Sequence, residues 1–537
     1  MPQRLHVNGK VFTGRGEDDF VSAFAVADGR VVWVGETADA PTDEHVERVD
    51  LEGRTVLPGF VDVHTHPSLV AGNLGAVACT PPHVGNIEEM VEALRRSPRA
   101  GRGEDVWIEG WGYDESKLAE GRTPTAADLD RVSTTQPVYV RRSDCHSGVC
   151  NTRALELAGI TRDTPDPPGA RFGRREDGEP DGVLMELAAN DAVLAAKETR
   201  DHAHAVRELA GTAAHYDERG IVAVTDMMAR REPYDHLDLY RGARESGMRQ
   251  RVVLYYDWAA LTAASDGTPP DLPASARTGD VRVGGLKLFM DGSISNRTAW
   301  TADPYPGSDD HGMRTLTDEA IRAAHAYARR NGLQLVFHAM GDRAIGHVID
   351  LFADEEPWLE GVPSVRIDHA TLMTDEHVRR IGAARMDFGV VTQIVFFFAE
   401  HDSYVRNLSP ERYRRAYPLR SLYAGLDRLA LSSDAPATTW ADPDDVFTSV
   451  QAAVTRRAYN GADIVAEQAL TVPQALLLYT GRARRLADLP GVGLIAPGYD
   501  ASFVVLDRDV FTVPVEEIDR VRVAETHIRG EEVHRRG

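Results

Sequence analysis

Between residues 57 and 486, short apolar runs alternate with stretches in which apolar residues recur every three or four positions. That is the pattern of buried strands linked by amphipathic helices. Eight runs predict strands: Gly59–Val63, Val138–Arg141, Val222–Thr225, Val283–Phe289, Gln334–Phe337, Val365–Ile367, Phe388–Thr392 and Leu429–Ser432. Helices fall in the gaps, for example at 318–330 and 374–383. The first strand, Phe60-Val61-Asp62-Val63, is close to continuously apolar, as expected of a parallel strand covered on both faces. Eight βα units over this length suit an α/β fold of the (β/α)8 TIM-barrel type, with a doubly wound sheet as the alternative. The interval 67–137 is longer than one crossover needs and holds a helical segment, Ile87–Arg95, and an aromatic one, Trp107–Tyr113. It predicts an insertion near the barrel mouth.

The chain ends read differently. Residues 1–56 alternate apolar and polar positions in short segments with turns at Asn8-Gly9 and Asp28-Gly29, and Ala23–Ala27 with Val31–Val34 predicts a hairpin. Residues 487–537 contain the strand-like Ala501–Leu506 and Val521–Val523. Neither end is large enough to bury a core alone, so together they predict one small β-sandwich domain.

Polar residues gather where the predicted strands end, and on a barrel all those ends lie on one face. In Pro58-Gly59-Phe60-Val61-Asp62-Val63-His64-Thr65-His66, the alternation of an extended chain puts His64 and His66 on the same side, where two imidazoles can grip one ion. The second strand leads to Asp144-Cys145-His146, the third ends at Asp226, and the fourth carries Lys287 and then Asp291. The fifth ends at His338, the sixth at His369 and the eighth at Asp434. A single histidine at a strand end is ordinarily a hydrogen-bonded structural residue, and a single Asp there is often a helix N-cap. Nitrogen and oxygen ligands at the ends of strands one, five, six and eight together point to zinc.

Composition narrows the functional classes. The formal net charge of −23 argues against a nucleic-acid partner, which needs clustered positive charge. Three cysteines, Cys79, Cys145 and Cys150, form no CxxC pair and no even-numbered framework, which fits a reducing compartment. The N-terminus has no apolar signal core, and the apolar run Gly389–Ala399 is too short to span a bilayer, so the expectation is a cytoplasmic protein without a membrane partner. The segment Ile394–Ala399 is the candidate surface for a homodimer. Only four of the 60 basic residues are lysines, Lys10, Lys117, Lys197 and Lys287. In a chain that uses arginine for plain positive charge, a lysine inside a strand calls for a special role: a buried amine can be neutral and react with CO2, whereas a guanidinium stays protonated.

The motifs PGFVDVHTH, HAMGD (338–342), DHA (368–370), SSDAP (432–436) and the closing IAPGYDASFVVLD (495–507) resemble the metal-dependent amidohydrolase superfamily over essentially the whole chain. LKLFMDGS (286–293), HAMGDRA (338–344) and Asp144-Cys145-His146-Ser147 resemble its amidohydrolase-3, YtcJ-like branch, which includes N-substituted formamide deformylases; that branch more often has Gly at the position of Cys145. The resemblance implies a (β/α)8 barrel with one or two divalent ions. His64, His66 and Asp434 would hold the more buried ion, and His338 and His369 the second. Lys287 would bridge them as an N6-carboxylated lysine, or serve as a substrate-contacting amine at a one-metal site.

The resulting expectation is a metal-dependent hydrolase barrel over 57–486 that cleaves a C–N bond of an amide-like, N-formyl included, small molecule. Activated water would attack, and Asp434 would carry its proton to the leaving nitrogen. His146, Asp291, Tyr113 and Trp111 are candidates to position substrate. Ester or lactone hydrolysis on the same site, and a metal-binding protein without turnover, are the alternatives. A deaminase would usually carry HxxE after the fifth strand, and here that run is His338-Ala339-Met340-Gly341.

Overall fold

A computed structural model describes residues 4–42, 45–143, 147–167, 170–197, 201–263, 267 and 269–537. The chain forms two compact units, one of residues 1–67, 209–434 and 444–537, the other of 68–208 and 435–443.

The first unit is built on eight strands: β1 (Phe60–Thr65), β2 (Ile221–Ala229), β3 (Arg251–Asp257), β4 (Val281–Phe289), β5 (Gln334–Ala339), β6 (Val365–His369), β7 (Phe388–Thr392) and β8 (Leu429–Leu431). They hydrogen-bond in sequence order and every pairing is parallel. The two end strands meet where the Asp434 amide donates to the His64 carbonyl (2.8 Å) and Asp62 accepts from the Ser433 amide and hydroxyl. This nearly closed sheet is the expected TIM barrel. Helices between strands begin and end where side chains cap them. Thr317 accepts from the Ala320 amide to start Asp318–Asn331, which Gly332 terminates at φ +60°, and Thr374 and His377 exchange bonds at the start of Asp375–Ala383.

One expected strand is not in the barrel. Val138–Arg142 belongs to the second unit, where it pairs in parallel with Ile108–Tyr113 and antiparallel with Gly148–Cys150 in a mixed six-stranded sheet. The strand that completes the barrel is Arg251–Asp257 instead. The two runs share the same short, fully buried apolar character, which periodicity alone does not sort between sheets. The unit outside the barrel accordingly continues beyond residue 137, to 208.

The chain ends combine as expected. Phe503–Leu506 pairs antiparallel with Thr55–Pro58 in a six-stranded sheet, and a four-stranded sheet of Arg30–Gly35, Ala23–Ala27, Arg4–Val7 and Glu47–Asp50 accompanies it. Val11, Phe24, Val26, Val56, Phe503 and Val505 pack together as a shared core. Ile394–Ala399, read as a dimer surface, is a helix in which Ile394, Val395, Phe396, Phe397 and Ala399 are buried within the chain and Phe398 is half-buried, so most of its apolar surface is already packed. Among the described residues no helix is long and apolar enough to cross a membrane.

Candidate functional site

β1 delivers His64 and His66 to the C-terminal end of the barrel, both buried. Asp434 follows β8, and its carboxylate Oδ1 lies 2.8 Å from His66 Nε2 and 3.2 Å from His64 Nε2. Its Oδ2 is 3.8 Å from His369 Nδ1, at the end of β6. Lys287, on β4, places Nζ 3.4 Å from His64 Nε2. His338, ending β5, packs its ring 4.3 Å from that of His369 and donates Nε2–H to the Gly292 carbonyl (3.1 Å), leaving the Nδ1 lone pair available. Residues 64, 66, 287, 338, 369 and 434 thus occupy one neighbourhood. His369 and Asp434 hold φ of +70° and +55°, a left-handed backbone that non-glycine residues adopt at a cost and that clusters at functional sites.

Burial decides the charge states. It pushes the Lys287 amine down to about 8, against the pull of Asp368 and Asp434. Burial, aided by Lys287, lowers His338 to about 4, and burial, with His338 beside it, holds His369 well below the usual imidazole range. For Asp434 burial opposes ionisation, but His64 and His66 more than offset it and keep the carboxyl well below its ordinary value.

This donor set fits a divalent ion. One ligand atom each from His64, His369 and Asp434 lie within 4.8 Å of one another. Ligands about 2.0–2.2 Å from a tetrahedral ion sit about 3.3–3.6 Å apart, close to the 3.2 Å between His64 Nε2 and Asp434 Oδ1 and the 3.8 Å between His369 Nδ1 and Asp434 Oδ2. Nδ1 of His66 and Nδ1 of His369 are buried without a hydrogen-bond partner, a costly state for a polar atom that a cation at His369 would relieve. A second cluster, Glu525, His527 and Glu532, is less apt: Glu525 already accepts from Arg54 and Arg535, and Glu532 from Arg535.

The expected substrate-positioning residues fare differently. Asp291 is committed internally: its carboxylate accepts from the amides of Trp300 (2.9 Å), Met340 (3.0 Å) and Gly341 (2.8 Å), and burial raises it to about 7. It shapes the loop after β5 rather than facing a ligand. Tyr113 is 1% exposed and packs among Ile108, Val138 and Val140 in the core of the second unit, so its ring is taken up there. Trp111, in the same strand, is half-buried. His146 lies outside the described residues.

Two residues that the sequence reading passed over stand behind the site. Asp368 and Arg366, both on β6 and fully buried, form a bidentate pair with two 2.7 Å bonds, and Asp368 Oδ2 lies 2.5 Å from His64 Nδ1. Arg366 also reaches the Val63 carbonyl (2.8 Å) and the Tyr255 ring. These contacts lie on β1 and β3, which are not neighbours of β6, so the guanidinium crosses the barrel interior. The signal was present in Val365-Arg366-Ile367-Asp368-His369: opposite charges two apart on one face of an otherwise apolar strand.

Comparison with known proteins agrees with this geometry. The model of the amidohydrolase family matches residues 47–534. The N-substituted formamide deformylase of Arthrobacter pascens is 27% identical over 544 residues, covering 99% of this chain and 98% of that protein. YtcJ of Bacillus subtilis, named as an amidohydrolase, is 26% identical over 554 residues, covering 98% of each. The crystal structure of an uncharacterised metal-dependent hydrolase from Pyrococcus horikoshii OT3 superposes with a TM-score of 0.72 at 25% identity, covering 96% of this chain and 99% of that one.

Proposed function

The chain belongs to the amidohydrolase family and is a hydrolase of carbon–nitrogen bonds, and from that premise we propose that it hydrolyses an amide-like small molecule at zinc held by His64, His66, Lys287, His338, His369 and Asp434. N-substituted formamides are the class to test first, because the deformylase relative aligns along nearly its whole length. The observation that carries the reading is the convergence of buried, lone-pair-bearing nitrogens and one ionised carboxylate on a single end of the barrel.

A divalent ion bound there supplies Lewis acidity and a water whose pKa falls from about 15.7 toward 7. Asp434, ionised at neutral pH, accepts the proton of the attacking water and passes it to the departing nitrogen. Its Oδ1 faces Nε2 of both β1 imidazoles, and its Oδ2 lies 3.8 Å from His369 Nδ1. Burial lowers the Lys287 amine to about 8, which brings its neutral form within reach near neutral pH. In that form its nitrogen can add to CO2 and release a proton, becoming an anionic oxygen donor.

Deamination is disfavoured by space as well as by sequence. At residue 341, where a deaminase would carry its acid, a Cβ would stand 2.0 Å from the Trp300 carbonyl oxygen. A side chain there requires the backbone of that loop to move.

The test is formate release from a panel of N-substituted formamides, alongside simple amides and esters, by zinc-loaded protein. Turnover of the formamides or amides above esters supports the reading. A fully loaded, folded protein that hydrolyses only esters would refute it.

A further inference from the structure

The four candidate histidines are not held alike. His66 and His369 each have a buried Nδ1 without a hydrogen-bond partner, and His338 rests on a backbone carbonyl. Only His64 among them has a carboxylate within hydrogen-bonding distance of a ring nitrogen and outside the ligand set, with Asp368 Oδ2 2.5 Å from Nδ1.

We propose that Arg366 and Asp368 are positioning residues that lock the His64 imidazole as its Nδ1–H tautomer, with Nε2 aimed into the cluster, and so set how tightly the ion is held. The inference rests on the metal-hydrolase reading above and adds to it the device that fixes one ligand. A carboxylate gripped by both arms of a guanidinium is an acceptor only, so the shared proton must sit on His64 Nδ1. That leaves the lone pair on Nε2, which faces Asp434 Oδ1 (3.2 Å) and Lys287 Nζ (3.4 Å). Orientation is fixed along with protonation. Arg366 is anchored at the Val63 carbonyl, next in the chain to His64, so the same guanidinium holds both the carboxylate and the strand that presents the imidazole. An imidazole with one nitrogen tied in this way loses little freedom on binding and is a stronger donor.

Two measurements decide it. In metal-free wild-type protein carrying 15N-histidine, with the His64 resonances identified by their loss in His64→Gln, the shifts should show a protonated Nδ1 and an unprotonated Nε2. The opposite tautomer, or a ring protonated on both nitrogens, overturns the locking claim whether or not any metal binds. In zinc titrations against a chromophoric chelator, Asp368→Asn and Asp368→Ala should weaken binding about 10–100-fold. Because each strands the Arg366 charge, the neutral pair Arg366→Met with Asp368→Ala is the control for folding, checked by unfolding temperature without metal. If the two side chains merely neutralise each other, the folded double variant binds zinc like wild type, and the positioning role is wrong. If they position His64, the affinity loss persists in it. Wild-type protein that takes up no zinc would remove the metal reading and the affinity claim, while the tautomer measurement would still judge the locking.

Discussion

Replacing Asp434 with asparagine separates holding an ion from moving a proton. The side chains are nearly isosteric, and asparagine is among the residues that tolerate the left-handed φ of +55° at this position, so the backbone after β8 should not shift. An amide oxygen can still face His66 and His64 Nε2, which lie 2.8 and 3.2 Å from Oδ1. One of six candidate donors is therefore weakened rather than removed, and most of the metal should stay. The proposed proton transfer should be lost altogether, because an amide does not accept a proton at neutral pH. General acid–base steps contribute about 10²–10⁴-fold, so kcat should fall by that factor, about 3–5 kcal/mol of barrier, with little change in KM. Steady-state formate release together with elemental analysis of the same sample measures both. A variant with its metal intact and kcat within about threefold of wild type would show that Asp434 carries no proton in the reaction.

Other substitutions probe the frame around the site. His64→Ala should abolish zinc binding and turnover together, seen by elemental analysis and the same assay, because His64 is central to the cluster; retained stoichiometric metal would contradict its place there. Gly341→Ala should lower stability by about 1–3 kcal/mol, since the new methyl meets the Trp300 carbonyl; a chemical denaturation midpoint equal to wild type would show that the loop yields freely. Asp444, buried against His215 (2.5 Å) and Arg219 (3.1 Å), is held well below the usual carboxylate range because those partners outweigh the cost of burial. Its stabilisation is complete above the unfolded carboxyl value of about 3.9 and is lost as pH falls below it toward the depressed native value. Asp444→Asn should cost about 3 kcal/mol at pH 7 and flatten the loss of stability measured between about pH 4 and pH 2.

What could be read from the sequence depended on how local the signal was. His64 and His66 were legible because a strand's alternation and an apolar run are both properties of adjacent residues. Arg251–Asp257 escaped, although Val252–Tyr256 is as apolar as any barrel strand, since its end carries no imidazole or lysine to mark it. Val138–Arg142 was placed in the wrong sheet for the converse reason: a strand's partners lie far away in sequence. Asp291 looked like a substrate contact because it follows a barrel strand, but the three amides that occupy it come from residues 300, 340 and 341. Ile394–Ala399 looked like an exposed apolar patch, and only packing reveals it as core. Arg366 was the least legible, because its partners on β1 and β3 meet it only once the barrel closes.

The central claim is that one end of the barrel holds a cation for hydrolysis. Anomalous diffraction at the zinc edge from crystals of zinc-loaded protein tests it most directly. One or two peaks about 2.0–2.3 Å from nitrogen or oxygen atoms of His64, His66, His338, His369 and Asp434 are expected, with density beyond Lys287 Nζ for a bridging carboxylate if two ions are present. No peak among these side chains at full zinc loading, or zinc bound only at Glu525, His527 and Glu532, would contradict it.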